Sequence, residues 1–146
     1  MGGWVTAETF AHDQGLLGAV TISAGDLGLV GQLARKARAQ VVASMEGDRE
    51  TLVGVTGESM ADELMAHADE WAFARLAPKL AGRRLLVLYS HDFVESHSTG
   101  LINAIKAAGG PAPEAFDAPT DHSWSDHRIA LETLVIDWLK RLPAKP

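Results

Sequence analysis

Short apolar runs in this chain alternate with longer segments whose apolar residues recur at helical spacing. Residues 16–22 and 85–90 are the two clearest apolar runs, and each predicts a buried β-strand. Residues 114–118 predict a third, shorter strand. The order helix, strand, helices, strand, helix, strand, helix predicts a mainly parallel sheet of about three strands flanked by helices, which is a three-layer α/β fold.

The segments between the strands are predicted as helices and one loop. Helices are expected over residues 2–12, 27–45 and 97–108, and over two stretches within 59–80 that meet near Trp71. Residues 46–58 contain three glycines and are predicted as loop. The inner stripe expected for the helix over 27–45 consists of Leu33, Ala37, Val41 and Met45. A basic cluster on that helix is interpreted as a solvated face rather than a phosphate site: Arg35, Lys36 and Arg38.

The last helix comes after a loop that is crowded with titratable side chains. The loop spans residues 119–128 and contains Asp121, His122, Asp126 and His127. The apolar face expected for the helix is Leu131, Leu134, Val135, Trp138, Leu139 and Leu142. Ser123 or Ser125 is expected to cap its start. A titratable loop fixed to a packed helix is a usual place for a catalytic base.

Composition narrows the class of protein. The chain has 146 residues, which suits a single domain, with 47% hydrophobic and 22% charged residues. Its formal net charge of -6 gives no basic surface for nucleic acid or an anionic membrane. It contains no cysteine, and no apolar run reaches the roughly 20 residues of a membrane span. We therefore expect a cytoplasmic protein without a nucleic-acid or membrane partner.

Two polar groups lie directly after neighbouring predicted strands. Asp92 comes just after the strand over 85–90, and His122 comes just after the strand over 114–118. In parallel α/β sheets, functional groups collect at the carboxyl ends of the strands. The structural alternatives are a turn-forming aspartate and a loop histidine bonded to backbone.

Three stretches together resemble the C-terminal half of an α/β-hydrolase, closest to bacterial esterases and acyl-peptidase-like hydrolases. Residues 85–94 (LLVLYSHDFV) look like the strand that delivers the catalytic acid of that family. Residues 120–131 (TDHSWSDHRIAL) look like its histidine loop. Residues 1–3 (MGG) match the positions directly after the nucleophilic serine in the G-x-S-x-G turn. The resemblance implies a truncated hydrolase domain over residues 1–146, in which 27–80 is a possible helical cap region.

The resemblance also implies roles and leaves the nucleophile open. His122 would be the general base and Asp92 the acid that orients it, in the family order Ser, acid, His. The serine before Met1 and the oxyanion loop of the family have no counterpart in the sequence. Ser59, in GESMA, imitates the serine motif except for its final alanine; its alternative role is a helix N-cap with Asp62 three residues on.

The expected activity is therefore hydrolysis of a small acyl ester by a Ser-His-Asp type mechanism. No cofactor is expected, and no metal either, since the spacing of the histidines fits no metal-binding frame. The alternative is a non-catalytic hydrolase half that folds by oligomerising. In either case we expect a homodimer or larger homo-oligomer in which the strand edge over residues 16–22 is paired with its copy or covered by helices.

Overall fold

The computed structural model describes residues 1–48 and 52–143, with the side chain of Asp48 left out, and within them it contains six helices and one three-stranded sheet. The elements in chain order are α1 (Gly2–His12), β1 (Ala19–Ile22), α2 (Leu27–Asp48), α3 (Gly57–Ala66), α4 (Phe73–Leu80), β2 (Leu85–Ser90), α5 (Glu95–Ala107), β3 (Glu114–Ala118) and α6 (Arg128–Leu139). The predicted α/β fold class is confirmed. No helix in these two ranges is long and apolar enough to cross a membrane.

The sheet is parallel throughout, and β2 is its central strand. The strand order is β1-β2-β3, with Ala19 opposite Leu85 and Leu86 opposite Glu114. Leu86 and Leu88 pack in one cluster with Trp138 of α6. The alternate side chains Leu85 and Val87 point to the other face and are also buried. Burial on both faces explains why β2 is an uninterrupted apolar run.

β1 is shorter than the sequence predicts. It begins at Ala19, and the side chains of Leu16 and Leu17 are about 40% exposed. The guanidinium of Arg83 donates to the carbonyls of Asp13 and Leu16 at 3.0 and 3.1 Å. These carbonyls bind a side chain instead of a neighbouring strand, so the apolar run starts as a tethered loop.

The chain forms two compact units, which we call the sheet unit and the helical unit. The sheet unit comprises Met1–Gly25 and Leu76–Pro146, and the helical unit comprises Asp26–Arg75. The helical unit covers nearly the same residues as the predicted cap region. All three strands, together with α1, α5 and α6, belong to the sheet unit.

Within the helical unit, α2 is bent where the sequence predicts a regular helix. Ala37 has φ −142° and ψ 54°, outside the helical region. The predicted inner stripe is therefore partly wrong: Val41 is buried as expected, but Leu33 is 44% exposed and Ala34 takes the buried position. The predicted loop over 46–58 is also shorter, because α2 reaches Asp48 and α3 starts at Gly57; residues 49–51 lie outside the described residues.

The basic cluster of α2 contacts acidic residues of the same unit. Arg35 donates to Asp69 at 2.8 Å and to the carbonyl of Met65, and Arg38 donates to Asp62 at 2.8 Å. Both pairs are largely exposed. These ion pairs favour the interpretation of a solvated, charge-paired face.

Candidate active site

The carboxyl edge of the sheet brings the predicted acid and base together. Asp92 lies just beyond the end of β2, and His122 lies just beyond the end of β3. The amide of His91 donates to the carbonyl of Ala118, so the two chain segments stay paired beyond the strands. As a result, Oδ2 of Asp92 lies 2.7 Å from Nδ1 of His122. Both residues belong to the sheet unit.

Asp92 is held by three hydrogen bonds that divide between its two oxygens. Oδ1 accepts the amide of Val94 at 2.8 Å, which forms the turn that leads into α5. Oδ2 accepts the hydroxyl of Ser90 at 2.8 Å as well as the imidazole of His122. The side chain is only 7% exposed. Burial raises the pKa of Asp92, but the bonds from Ser90, Val94 and His122 outweigh it, so the pKa lies below its ordinary value.

The charge on Asp92 determines the tautomer of its partner. An ionised carboxylate only accepts hydrogen bonds, so Nδ1 of His122 must donate the proton in their contact. In the neutral ring the other nitrogen, Nε2, then carries a lone pair and no proton. The His122 side chain is 48% exposed. The arrangement therefore presents an accessible base whose rear nitrogen is fixed by a buried acid, as in a catalytic dyad.

The loop that carries His122 is organised by Asp121 and anchored by Trp124. Oδ1 of Asp121 accepts the amides of Ser123 and Ser125, each at 3.0 Å. The bond from the Ser125 amide is the largest cause that lowers the pKa of Asp121. Trp124 is 1% exposed and packs in the cluster between the sheet and α6. His122 thus lies between two residues that the fold fixes.

The same bonds overturn the predicted cap of α6. Ser123 and Ser125 give their amides to Asp121, and the helix begins at Arg128 with His127 as its N-cap. His127 makes no side-chain cap hydrogen bond. The residues of the predicted apolar face pack in or against the core cluster, apart from Leu139, which is 49% exposed.

An exposed aromatic ring covers one side of the candidate base. The ring of Phe93 stacks on the imidazole of His122 with 5.0 Å between centroids and 23° between planes. Phe93 is 79% exposed. A large apolar side chain left open beside a base provides a surface for an apolar group of a ligand.

Ser59, the motif-based nucleophile candidate, lies in the helical unit and takes part in a helix cap. Its hydroxyl donates to the carbonyl of Thr56 at 3.0 Å and accepts the Thr56 amide at 2.9 Å. The Thr56 hydroxyl accepts the Ser59 amide in return. The sequence suggests Ser59 as N-cap with Asp62, but the capping box starts one turn earlier, with Thr56 as N-cap and Ser59 at its third position.

Three residues that the sequence pattern does not connect form a series of hydrogen bonds that ends at Asp92. The indole Nε1 of Trp124 donates to Oγ of Ser23 at 3.2 Å, and Oγ of Ser23 lies 3.1 Å from Oγ of Ser90. All three side chains are buried. Ser23 comes directly after β1 in the sequence TISAG. A serine in an S-x-G turn at the end of a strand is the sequence feature that could have indicated its position near the site.

Ser23 and Trp124 also have unusual backbones. Among residues 1–48 and 52–143, they are the two non-glycine residues with positive φ, at 43° and 57°. Such conformations cost on the order of 1–3 kcal/mol each and persist where the surrounding structure imposes them. The two strained positions therefore meet in one hydrogen bond next to the candidate site.

Two cavities of the structure lie away from this pair. One of about 370 Å³ lies in the sheet unit at the amino ends of the strands, beside Arg84, Leu85 and Glu114. Another, of about 550 Å³, lies in the helical unit beside Arg38 and Thr56. Neither cavity has His122 or Asp92 in its lining. The described ranges also hold no cluster of three or more His, Asp or Glu side chains suited to a metal ion.

Comparison with protein-family models, with curated proteins and with solved structures gives no match to this chain. The resemblance to α/β-hydrolases therefore rests on the three sequence stretches 1–3, 85–94 and 120–131, and the activity that it implies is a proposal.

Proposed function

We propose that this chain provides the acid–base machinery of a carboxylic ester hydrolase. His122 acts as general base and Asp92 orients and balances it. The observation that carries the proposal is the 2.7 Å bond between Asp92 and Nδ1 of His122, made by a buried carboxylate to an exposed imidazole. The lack of cysteine favours a reducing compartment such as the cytoplasm.

The proposed reaction depends on the tautomer of His122. Its Nε2 removes a proton from a hydroxyl or water as that oxygen attacks the ester carbonyl. The positive charge that develops on the imidazole is stabilised by ionised Asp92. When the tetrahedral intermediate collapses, the bond to the alcohol oxygen breaks and His122 returns the proton to that oxygen. If water attacks, the products are the alcohol and the carboxylic acid. If a hydroxyl attacks, the alcohol leaves an acyl-enzyme, and water activated by His122 then hydrolyses it to the carboxylic acid and the free hydroxyl.

The substrate class is inferred from what surrounds the base. Phe93 offers an apolar face against His122, which suits an acyl or aryl group. Within the described residues, no arginine or lysine is among the hydrogen-bond partners of either member of the pair, so a neutral ester fits better than an anionic substrate. We therefore propose small neutral acyl esters.

The test is hydrolysis of a short-chain nitrophenyl ester by the purified protein and matched variants. We expect His122→Ala to lower kcat/KM by about 10²–10⁴-fold, the usual contribution of a general base. His91→Ala is the control, because His91 also contacts an aspartate, at 2.8 Å, but the carboxylate of that aspartate is exposed and not buried. Equal rates for the unmodified protein and His122→Ala, or no rate above buffer, would contradict the proposal.

The same preparation identifies the nucleophile. A serine-directed phosphonate followed by peptide mass spectrometry marks any activated serine, and Ser59→Ala tests the motif-based candidate. Loss of both labelling and activity in Ser59→Ala assigns the hydroxyl to Ser59. Activity that depends on His122 without any labelling assigns the attack to water.

The second candidate is a non-catalytic hydrolase half that associates through its sheet edge. β1 is an edge strand, and Leu16, Leu17 and Ile22 beside that edge are each about 40% exposed. We propose a homodimer through this edge. Light scattering should give twice the chain mass, and Ile22→Lys should shift the protein to monomer; a monomer at all concentrations would overturn the dimer.

A further inference from the structure

A chain of buried polar side chains ends at the candidate acid. It runs from Trp124 to Ser23 at 3.2 Å, from Ser23 to Ser90 at 3.1 Å and from Ser90 to Asp92 at 2.8 Å. Ser23 is 5% exposed, and Ser90 is fully buried. Buried polar groups are costly unless each one is satisfied, so a connected series of this kind constrains the geometry of all its members.

The direction of every bond in this chain is determined. The indole N–H of Trp124 can only donate, so Ser23 accepts from it. The hydroxyl proton of Ser90 is committed to Asp92, which as a carboxylate can only accept. Ser23 must therefore donate to Ser90. In each hydrogen bond the donor is the residue farther from Asp92 along the series. Asp92 therefore accepts a hydrogen bond from Ser90 at the end of the series and another from His122.

The backbone shows that this arrangement is imposed by the fold. Ser23 and Trp124 are distant in sequence, yet both take positive φ, a region that side-chain-bearing residues avoid. Trp124 is the residue that anchors the His122 loop in the core. The bond to Ser23 thus ties the turn after β1 to the loop after β3.

We propose that Trp124, Ser23 and Ser90 are positioning residues, which hold Asp92 ionised and aligned on His122. They act through Asp92 and make no contact with the reacting atoms. The effect of these residues on the rate rests on the proposed hydrolase function. Their effect on Asp92 rests on the hydrogen bonds alone.

A role for Ser23 or Ser90 as the attacking nucleophile fits the structure less well. Both hydroxyls are buried and both donate within the series, so neither has a free proton to give to His122. The contact partner of His122 in the series is Asp92, through Nδ1. Phosphonate labelling of Ser23 or Ser90 would therefore overturn the positioning role.

The experiment compares Ser90→Ala, Ser23→Ala and Trp124→Phe with two matched controls. Ser98→Ala removes another fully buried serine, whose hydroxyl has no hydrogen-bond partner among residues 1–48 and 52–143. Trp138→Phe alters the other buried tryptophan of the same core cluster. The readouts are the Asp92 carboxyl titration by carbon NMR, the exchange of the Trp124 indole proton and the pH dependence of kcat/KM. Ser23→Gly replaces Ser23→Ala if that variant does not fold, because glycine accepts the positive φ.

Loss of a donor to an ionised carboxylate raises its pKa, so Asp92 should titrate at higher pH in Ser90→Ala. The shift should be smaller in Ser23→Ala and Trp124→Phe, and absent in both controls. We expect kcat/KM to fall by about tenfold in Ser90→Ala and severalfold in the other two. An Asp92 titration that does not move in any of the three variants would overturn the inference. An inactive unmodified protein would contradict the proposed function, while the NMR titration would still decide the positioning role.

Discussion

Two of the histidine–aspartate pairs near the carboxyl edge of the sheet differ in what surrounds the acid. Asp92 pairs with His122 at 2.7 Å, and Asp117 pairs with His91 at 2.8 Å. The two imidazoles are equally exposed, at 48% and 46%. The Asp92 side chain is 7% exposed, whereas that of Asp117 is 52% exposed. Contact distance alone therefore does not distinguish a fixed dyad from a surface ion pair.

The difference arises from one step along the chain. His91 and Asp92 are neighbours just after β2, but only Asp92 turns inward, where Ser90 and the Val94 amide also donate to it. Asp117 lies on the outer strand β3, whose residues are exposed up to Ala118. A buried acid with three donors keeps its direction, whereas a solvated acid with one partner exchanges readily with water.

The largest expected effect that separates the pairs is on stability. Asp92→Asn places an amide N–H where the carboxylate accepts from several donors, so we expect the free energy of unfolding to fall by about 1–3 kcal/mol. Asp117→Asn should leave it unchanged within error, since both partners are solvated. Urea unfolding of the three proteins measures this, and equal losses in the two variants would remove the distinction.

A second expected effect is the dependence of stability on acid. The pKa of Asp92 in the folded protein lies below its ordinary value, because its hydrogen bonds outweigh its burial. Its ionised form therefore adds stability that is complete above the pKa of an unfolded-chain aspartate, about 3.9, and is lost as pH falls through the folded-state pKa. The stability gap between the unmodified protein and Asp92→Asn should narrow on acidification below about pH 4. A gap that is constant with pH would contradict the lowered pKa.

The smallest effect concerns the surface pair. The hydrogen bond to Asp117 is the main reason that the pKa of His91 lies above its ordinary value. Any stability from this pair is present below the pKa of an unfolded-chain histidine and is lost as pH rises through the raised value. In an NMR titration, Asp117→Asn should lower the pKa of His91, and added salt should lower it in the unmodified protein. Asp92→Asn is the control, and it should leave His91 unchanged.

The apolar pattern predicts the central strand well because β2 is almost entirely buried. β2 ends, as predicted, where its apolar run meets polar residues, whereas β3 has the predicted bounds although four of its five residues are exposed. The predicted start of β1 is wrong because Arg83, far along the chain, binds the carbonyl of Leu16. The predicted stripe of α2 assumes one regular helix, but the helix bends at Ala37, and before the bend Ala34 is buried in place of Leu33.

For the candidate site, position after a strand suggests Asp92 and His122, and the structure places them in contact. Their catalytic roles stay predictions. The hydrogen bonds from Trp124 and Ser23 could not be predicted from spacing, because they depend on two positive φ angles and on residues from opposite ends of the chain. The predicted capping box of α3 is misplaced by one turn because Thr56 and Ser59 can each serve as an N-cap, and Thr56 takes that position while Ser59 is the third residue of the same box.

The register of the sheet has a consequence for the kinetics of folding. β2, α5 and β3 are consecutive, so they can assemble as a local β-α-β segment with short loop closure. β1 and β2 are separated in the sequence by the whole helical unit, and Ala19 lies opposite Leu85. Their pairing therefore closes a long loop. Non-local pairing of this kind is slow and late. Substitutions in β2 or β3 should therefore slow refolding, whereas substitutions in β1 should mainly accelerate unfolding.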